Sequence, residues 1–211
     1  MKPGSSVIIH PYYFSGAKRM LDVSVALVGL IIGAPFLIAI GTIVWLTAGS
    51  PIIFTQSRAG KFRTAFTVFK FRTMTVGADN HQSQLKKVNQ APLPFFKVEH
   101  DPRFTGMGYW LSKSGIDELP QLINILLGEM SLVGPRPLPI HEANRLSSDW
   151  EFRFQVKPGI FSDWAKSNSK HESLTAWMKL EKNGLKTGGI FSDLYLTIST
   201  CWLQFRRIFN T

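Results

Sequence analysis

The chain has 211 residues, with 24 Lys and Arg against 14 Asp and Glu and a formal charge of +10. That length suits one ordinary domain plus an appendage, and the charge points to an anionic partner: nucleic acid, a membrane surface or a phosphorylated substrate. Cys201 is the single cysteine, which excludes an intrachain disulfide, and His10, His81, His100, His141 and His171 show no ligand spacing, which argues against a zinc site.

Residues 1–14 lack the ordered regions of a signal peptide and are expected to form a flexible N-terminal tail. Residues 15–50 follow as a distinct segment. No charged residue occurs between Asp22 and Arg58, and the apolar run 20–48 exceeds the roughly 20 residues that a helix needs to cross a bilayer core. A helix apolar on every side does not suit the core of so small a protein. The segment is therefore expected in the membrane. Pro35 removes a backbone donor near its middle, and Gly33 loosens the same turn. Lys18 and Arg19 precede it, while Arg58, Lys61, Arg63, Lys70 and Arg72 follow, so the positive-inside rule asks for both flanks on the cytoplasmic side. A re-entrant helix hinged at Pro35 meets that demand. A tilted span with a proline kink is the alternative, because membrane helices tolerate proline.

Residues 51–211 form the expected cytoplasmic domain. The runs 51–58 and 65–73 are β-rich and flank a basic turn at 59–63, which predicts a hairpin or a pair of short strands. Lys70 and Arg72 alternate with apolar residues on its second strand, where they would face phosphate groups or solvent. A short helix and then a loop are expected over 75–94, and a strand over 95–105 leading to the Asp101-Pro102 turn. Trp150, Phe152, Phe154 and Val156 alternate with polar residues, a strand-like period for 149–156, with a short helix as the alternative. Residues 171–182 begin as a capped helix. Residues 190–209 carry a broad apolar face ending in Arg206 and Arg207, which suits a helix in the headgroup zone or a core helix with a basic end. Phe161 and Trp164 are either interfacial or packed.

The most informative stretch is 114–137. Asp117 and Glu118 stand just before a short apolar helix carrying Leu122, Ile123, Leu126 and Leu127. Pro120 fits its first turn, Ser114 or Asp117 can cap it, and Gly128 suits its end. Acidic residues at a helix start often only complement its dipole. Here, however, Arg136 follows in a corner stiffened by Pro135 and Pro137. Carboxylates that hold magnesium and act on phosphates need such a cation nearby.

Five ordered motifs, KRMLD (18–22) with Pro35 downstream, IFTQSRAG (53–60), FKFRTM (69–74), DELPQLINILLGEMSLVGPRP (117–137) and KPGI (157–160), resemble those of the bacterial sugar transferases of the monotopic phosphoglycosyl transferase type. The resemblance implies transfer of a phosphosugar from a nucleotide diphosphate sugar, a UDP-sugar first, to undecaprenyl phosphate, which initiates surface polysaccharide or glycoconjugate synthesis. It also implies that Asp117 is the nucleophile forming a covalent phosphosugar, that Glu118 supports it, and that both carboxylates bind Mg2+. Lys70 and Arg136, with Pro135 and Pro137 around the latter, would contact phosphates, and Arg72 is a further candidate. Pro35 would be the membrane hinge. The chain departs from the family at three places. Ser112 stands where an arginine is common, with Lys113 beside it. Ala34 replaces a small polar residue, and FSDWAKSNSK (161–170) keeps Trp164 but little else of the usual run.

These readings together predict a helix-rich α/β fold with little regular sheet: a membrane-associated catalytic domain with an N-terminal re-entrant membrane helix and C-terminal amphipathic helices. Its expected place is the cytoplasmic face of the bacterial inner membrane. Its expected partners are a nucleotide sugar donor, a polyprenyl phosphate acceptor, membrane lipid and downstream glycosyltransferases, with no nucleic acid. The alternative is a catalytically weakened relative that serves as a membrane-anchored assembly partner.

Overall fold

The structure is a computed structural model and describes residues 7–98, 100–167 and 173–209. Its longest element, α1 (Gly16–Ala48), is a 33-residue helix capped by the Ser15 hydroxyl, which accepts from the Lys18 amide. At about 1.5 Å per residue it is roughly 50 Å long. It runs on through Pro35. Met20, Leu27, Ile31, Ile32, Ile38 and Leu46 face outward, between 48% and 75% exposed. A buried stripe on the other side includes Ala26, Ile40 and Val44. The helix is long and apolar enough to cross a membrane, and little of its apolar length is buried in the protein.

Both ends of α1 are fastened to the same body. At the start, Lys18 Nζ lies 2.7 Å from Asp22 Oδ1 and 2.8 Å from Asp193 Oδ2, all three side chains being buried. Asp22 also accepts from the Ser131 hydroxyl and the Leu132 amide. Arg19 donates to the carbonyls of Ile125 and Leu126. At the far end, Ile40 and Val44 pack with Phe71 and Leu111.

The expected hairpin is present as β1 (Ile53–Ala59) and β2 (Ala65–Phe71), antiparallel, with Ile53 opposite Phe71 and Ala59 opposite Ala65. After a 3-10 helix over Ala78–Val88 the chain turns into α2 (Gly108–Ser114) and α3 (Gln121–Leu127). A parallel pair, β3 (Ser131–Val133) with a strand over Gly159–Phe161, and the two-residue β4 (Leu138–Pro139), which joins β1, complete the sheets; the Gly159–Phe161 strand is β5. Short helices α4 (Ile140–Ala143) and α5 (Asp163–Lys166) precede α6 (Leu174–Lys186) and α7 (Ile190–Phe209). This is the helix-rich α/β arrangement with little sheet that the sequence predicts.

Four local expectations are corrected. Residues 7–14 are packed rather than free: the His10 amide donates to Leu185, the Tyr13 hydroxyl donates to Gly184, and Pro11–Phe14 form a 3-10 turn. Residues 1–6 lie outside the described residues. Residues 95–98 and 100–105 form no strand beyond one bridge between Met74 and Phe104. The Asn89 side chain takes the strand partner's place there, accepting from the amides of Ala91 and Lys97 and donating to the carbonyls of Ala91 and Phe95. Residues Ser148–Gln155 form a 3-10 helix, the alternative to the strand, and Trp150, Phe152, Arg153 and Phe154 are all buried. Burial of neighbouring as well as alternate residues removes the two-sided environment that a strand period implies. The fourth correction concerns the caps of α3: its N-cap is Pro120, without a side-chain cap, while Ser114 hydrogen-bonds Leu111 and Ile116 instead.

The core has an aromatic centre. Trp164 and Trp177 stack at 4.4 Å between ring centroids, and Phe95, Trp150, Phe152 and Phe154 surround them. Trp164 is thus packed, and Phe161 lies against the cluster centred on α3. The helix expected at 171–182 starts at Leu174 under a Ser173 cap, with 171–172 outside the described residues. In α7, Asp193, Leu196 and Thr200 are buried, while Phe191, Tyr195, Ile198 and Trp202 are 59% to 88% exposed. The helix has the two faces expected of it.

Candidate active site

Three structural elements converge on one cleft of about 940 Å³. The first is the turn before α3. Gly115, at φ +74°, ends α2 and turns the chain into a 3-10 turn, Ile116–Glu118, that carries the two carboxylates. A side chain at 115 would be strained by that φ, and a Cβ there would stand 2.6 Å from Gln204 Nε2. The turn therefore requires glycine. The second element is β2, which carries Lys70. Buried Asn124 of α3 locks the two together, since its side chain accepts from the Phe69 amide and donates to the Thr67 carbonyl. The third is the corner 134–137, tied at one end through β3 to β5 and at the other through β4 to β1. Here a Cβ on Gly159 would stand 2.1 Å from the Gly134 nitrogen. The KPGI motif is the floor on which the Gly-Pro-Arg-Pro corner rests.

The charges meet at Glu118. Its Oε1 lies 2.6 Å from Lys70 Nζ and 2.9 Å from Arg136 Nη2, while Lys70 Nζ is 3.7 Å from Asp117 Oδ2. Asp117 is 4% exposed. Burial pushes its carboxyl up to about 6, against the downward pull of Lys70 and with the Glu118 charge adding to the rise. Burial also pulls Glu118 upward, but Arg136 and Lys70 together outweigh it and hold Glu118 well below the usual carboxylate range. The facing Glu118 charge in turn raises Arg136. Two adjacent carboxylates thus occupy different electrostatic states, the pattern in which one group stays a fixed anion and the other becomes the reactive one.

The structure brings together Asp117, Glu118, Lys70, Arg136 and Pro137 along the cleft, with Pro135 accepting from the Gly159 amide behind it. Arg72 also lines this cleft. Arg72 is buried, and its guanidinium donates to the carbonyls of Ala48, Gly49 and Ser50 at the end of α1. Those orphaned helix-terminal carbonyls are what it satisfies. Pro35 lies far along α1 from the dyad, between the two buried patches of that helix. Ser112 and Lys113 both line the cleft, and Lys113 Nζ stands 5.7 Å from the Tyr109 ring centroid.

Sequence reasoning missed two participants. Arg58 lines the cleft, donates to the Pro137 carbonyl at 3.0 Å, and is pushed down to about 10 by burial with Arg136 adding to the effect. Trp164 supports Arg136, whose Cζ stands 5.7 Å from the indole centroid. Only the family-like IFTQSRAG run pointed towards Arg58. Among the described residues no group of three or more His, Cys, Asp or Glu comes together as a metal cage. Two carboxylates do fit a hard divalent cation of the kind that takes one or two protein oxygens and completes its shell with substrate phosphates and water.

A family model described as bacterial sugar transferase matches residues 13–207. The galactosyl transferase CpsE of Streptococcus agalactiae serotype III (strain NEM316) is 36% identical over 197 residues, covering 92% of this chain and 43% of CpsE. The UDP-glucose:undecaprenyl-phosphate glucose-1-phosphate transferase of Escherichia coli (strain K12) is 33% identical over 218 residues, 98% of this chain and 43% of that protein. The exopolysaccharide production protein ExoY of Sinorhizobium fredii (strain NBRC 101917 / NGR234) is 32% identical over 188 residues, 87% of this chain and 83% of ExoY. The chain thus spans about two fifths of the first two relatives and most of the third.

Proposed function

Because the chain belongs to the bacterial sugar transferase family, we propose that it transfers a phosphosugar from a nucleotide diphosphate sugar, a UDP-sugar first, to undecaprenyl phosphate. The observation that carries this reading is the buried Asp117–Glu118 pair held between Lys70 and Arg136. Two neighbouring carboxylates with separated proton affinities, set among cations, suit a nucleophile acting on a phosphoryl group.

In the first half-reaction an Asp117 carboxylate oxygen attacks the phosphorus that bears the sugar. The bond from that phosphorus to the bridging oxygen breaks, and its electron pair leaves with the nucleoside monophosphate. In the second, a phosphate oxygen of the lipid attacks the same phosphorus, the Asp117 oxygen–phosphorus bond breaks, and the polyprenyl diphosphosugar departs. Lys70 and Arg136 hold the charge of Glu118 fixed and leave cationic surface towards the phosphates. Asp117 and Glu118 would also hold Mg2+, which supplies charge neutralisation of the diphosphate when bound.

Membrane seating follows from α1. Its outer face is apolar, while Lys18 at one end and Ala48 at the other are both fastened to the catalytic body. A helix tied at both ends to one domain favours entry and exit by a single membrane face, with Pro35 as the hinge, at the cytoplasmic face of the bacterial inner membrane. The two-faced α7 would lie in the headgroup zone.

The test is a panel of nucleotide sugars given to purified protein with Mg2+ and polyprenyl phosphate. Release of nucleoside monophosphate from at least one donor, with a lipid-linked phosphosugar as co-product, is expected. No release from any donor would sink the reading and leave the membrane-anchored assembly partner in its place.

A further inference from the structure

Arg136 does not hold its own position. Its side chain meets Glu118, but the backbone that presents it is gripped from behind. Arg153 Nη2 donates to the Arg136 carbonyl at 2.7 Å, and Arg58 Nη1 donates to the Pro137 carbonyl at 3.0 Å. Two guanidiniums on different elements therefore clamp consecutive carbonyl-bearing residues of one corner. Arg153 is fixed in its turn. Its Nη2 lies 3.0 Å from Glu181 Oε1 of α6, which also accepts from the Trp177 indole at 2.8 Å. Both members of the ion pair are 2% exposed at the side chain.

Such a pair is a poor stability device. Two desolvated charges recover their loss only with good geometry and full hydrogen bonding, and an apolar pair of similar volume is often as stable. Here Arg153 Nη1 and Glu181 Oε2 lack a hydrogen-bond partner. What the pair does accomplish is to aim one guanidinium at the Arg136 carbonyl. Pro135 and Pro137 stiffen the corner locally, but they contribute no amide donor, so its carbonyls must be anchored by donors from elsewhere.

We propose that Arg153 is a positioning residue for Arg136: with Glu181 and Trp177 it forms a buried strut that sets where Arg136 meets Glu118 and the donor's phosphates. The catalytic consequence rests on the phosphosugar-transfer reading, but the strut itself can be tested without turnover. The variant is Arg153→Met with Glu181→Leu, which removes both charges together and leaves no buried ion alone.

Amide hydrogen exchange on the protein in nanodiscs reads the corner directly through Gly134, Arg136 and Leu138. Exchange of that peptide is expected to quicken roughly 10-fold, with peptides from α3 and the hairpin unchanged. Turnover is expected to fall roughly 10- to 100-fold, the scale of a small misplacement. In an Arg136→Ala background the same pair of changes should cost less than about twofold, because a strut has nothing left to place. A corner that exchanges as in the parent protein, or losses that multiply fully with Arg136→Ala, would overturn the proposal. Should the double variant not fold, Glu181→Gln carries the same comparison with an expected quickening of about threefold. No change in that variant would overturn it equally. Absence of any parental turnover would count against phosphosugar transfer, while the exchange result would still decide the strut.

Discussion

Asp117→Asn should abolish turnover and make the protein more stable above pH 6. In the folded chain the Asp117 carboxyl is raised from 3.8 to about 6, chiefly by burial. A group raised in this way favours folding most below its unfolded value, near pH 4, and that contribution is lost as the pH climbs through about 6. At about 1.4 kcal/mol per pH unit the rise sets a ceiling of about 3 kcal/mol. The neighbouring Glu118 and Lys70 respond to the substitution, so about 2 kcal/mol is the expected net gain, equivalent to roughly 4–8 °C in Tm for a domain of this size. The asparagine cannot ionise and still fits the turn, while Lys70 keeps its 2.6 Å partner in Glu118. Thermal unfolding in detergent with chelator present, at pH 4.5 and pH 8, measures it. The gain should appear in full at pH 8 and fall to about a third of that at pH 4.5. Equal stability of the two proteins at pH 8, or a gain largest at low pH, would refute the reasoning.

Other consequences follow from the same geometry. The pH profile of kcat/KM should fall on its acid side as Asp117 takes up a proton, and that limb should move to lower pH as Mg2+ is raised, because a bound cation favours the carboxylate; rate measurements between pH 5 and pH 8 at two Mg2+ concentrations check this. Arg72→Met should leave the Lys70–Glu118–Arg136 contacts in place yet lower stability by about 2 kcal/mol, because it strands the α1 terminal carbonyls; denaturation midpoints and proteolysis near residue 50 report it. Gly115→Ala should cost at least about 1 kcal/mol and reduce turnover, since the dyad's turn needs a positive φ and Gln204 crowds the site. Equilibrium unfolding beside a rate assay separates the two effects.

The hairpin, the apolar helix and the α3 turn were legible because each rests on a local signal: alternation, an uncharged run, or Pro120 and Gly128 at the ends of a short helix. The dyad and Arg136 were legible through an ordered motif. The role of Arg72 was not, since nothing local says that the end of α1 folds back to offer its carbonyls to the residue just after β2. Arg153 looked like one polar residue among alternating aromatics, and its role needs Glu181, 28 positions away, and the Arg136 carbonyl. The missing strand at 95–105 has a similar cause. One asparagine outside the run, Asn89, supplies the hydrogen bonds that a neighbouring strand would otherwise give. Interactions between distant segments decide these cases, and residue pattern carries little of them.

The proposed reaction requires Asp117 to become covalently attached to a phosphosugar. Intact mass and peptide mapping of the protein incubated with Mg2+ and its nucleotide sugar, without acceptor, measure that directly. An added phosphosugar mass on the peptide containing Asp117, matched by released nucleoside monophosphate and discharged by polyprenyl phosphate, is the predicted result. Nucleotide release that requires the acceptor from the outset, with no adduct on Asp117, would contradict it.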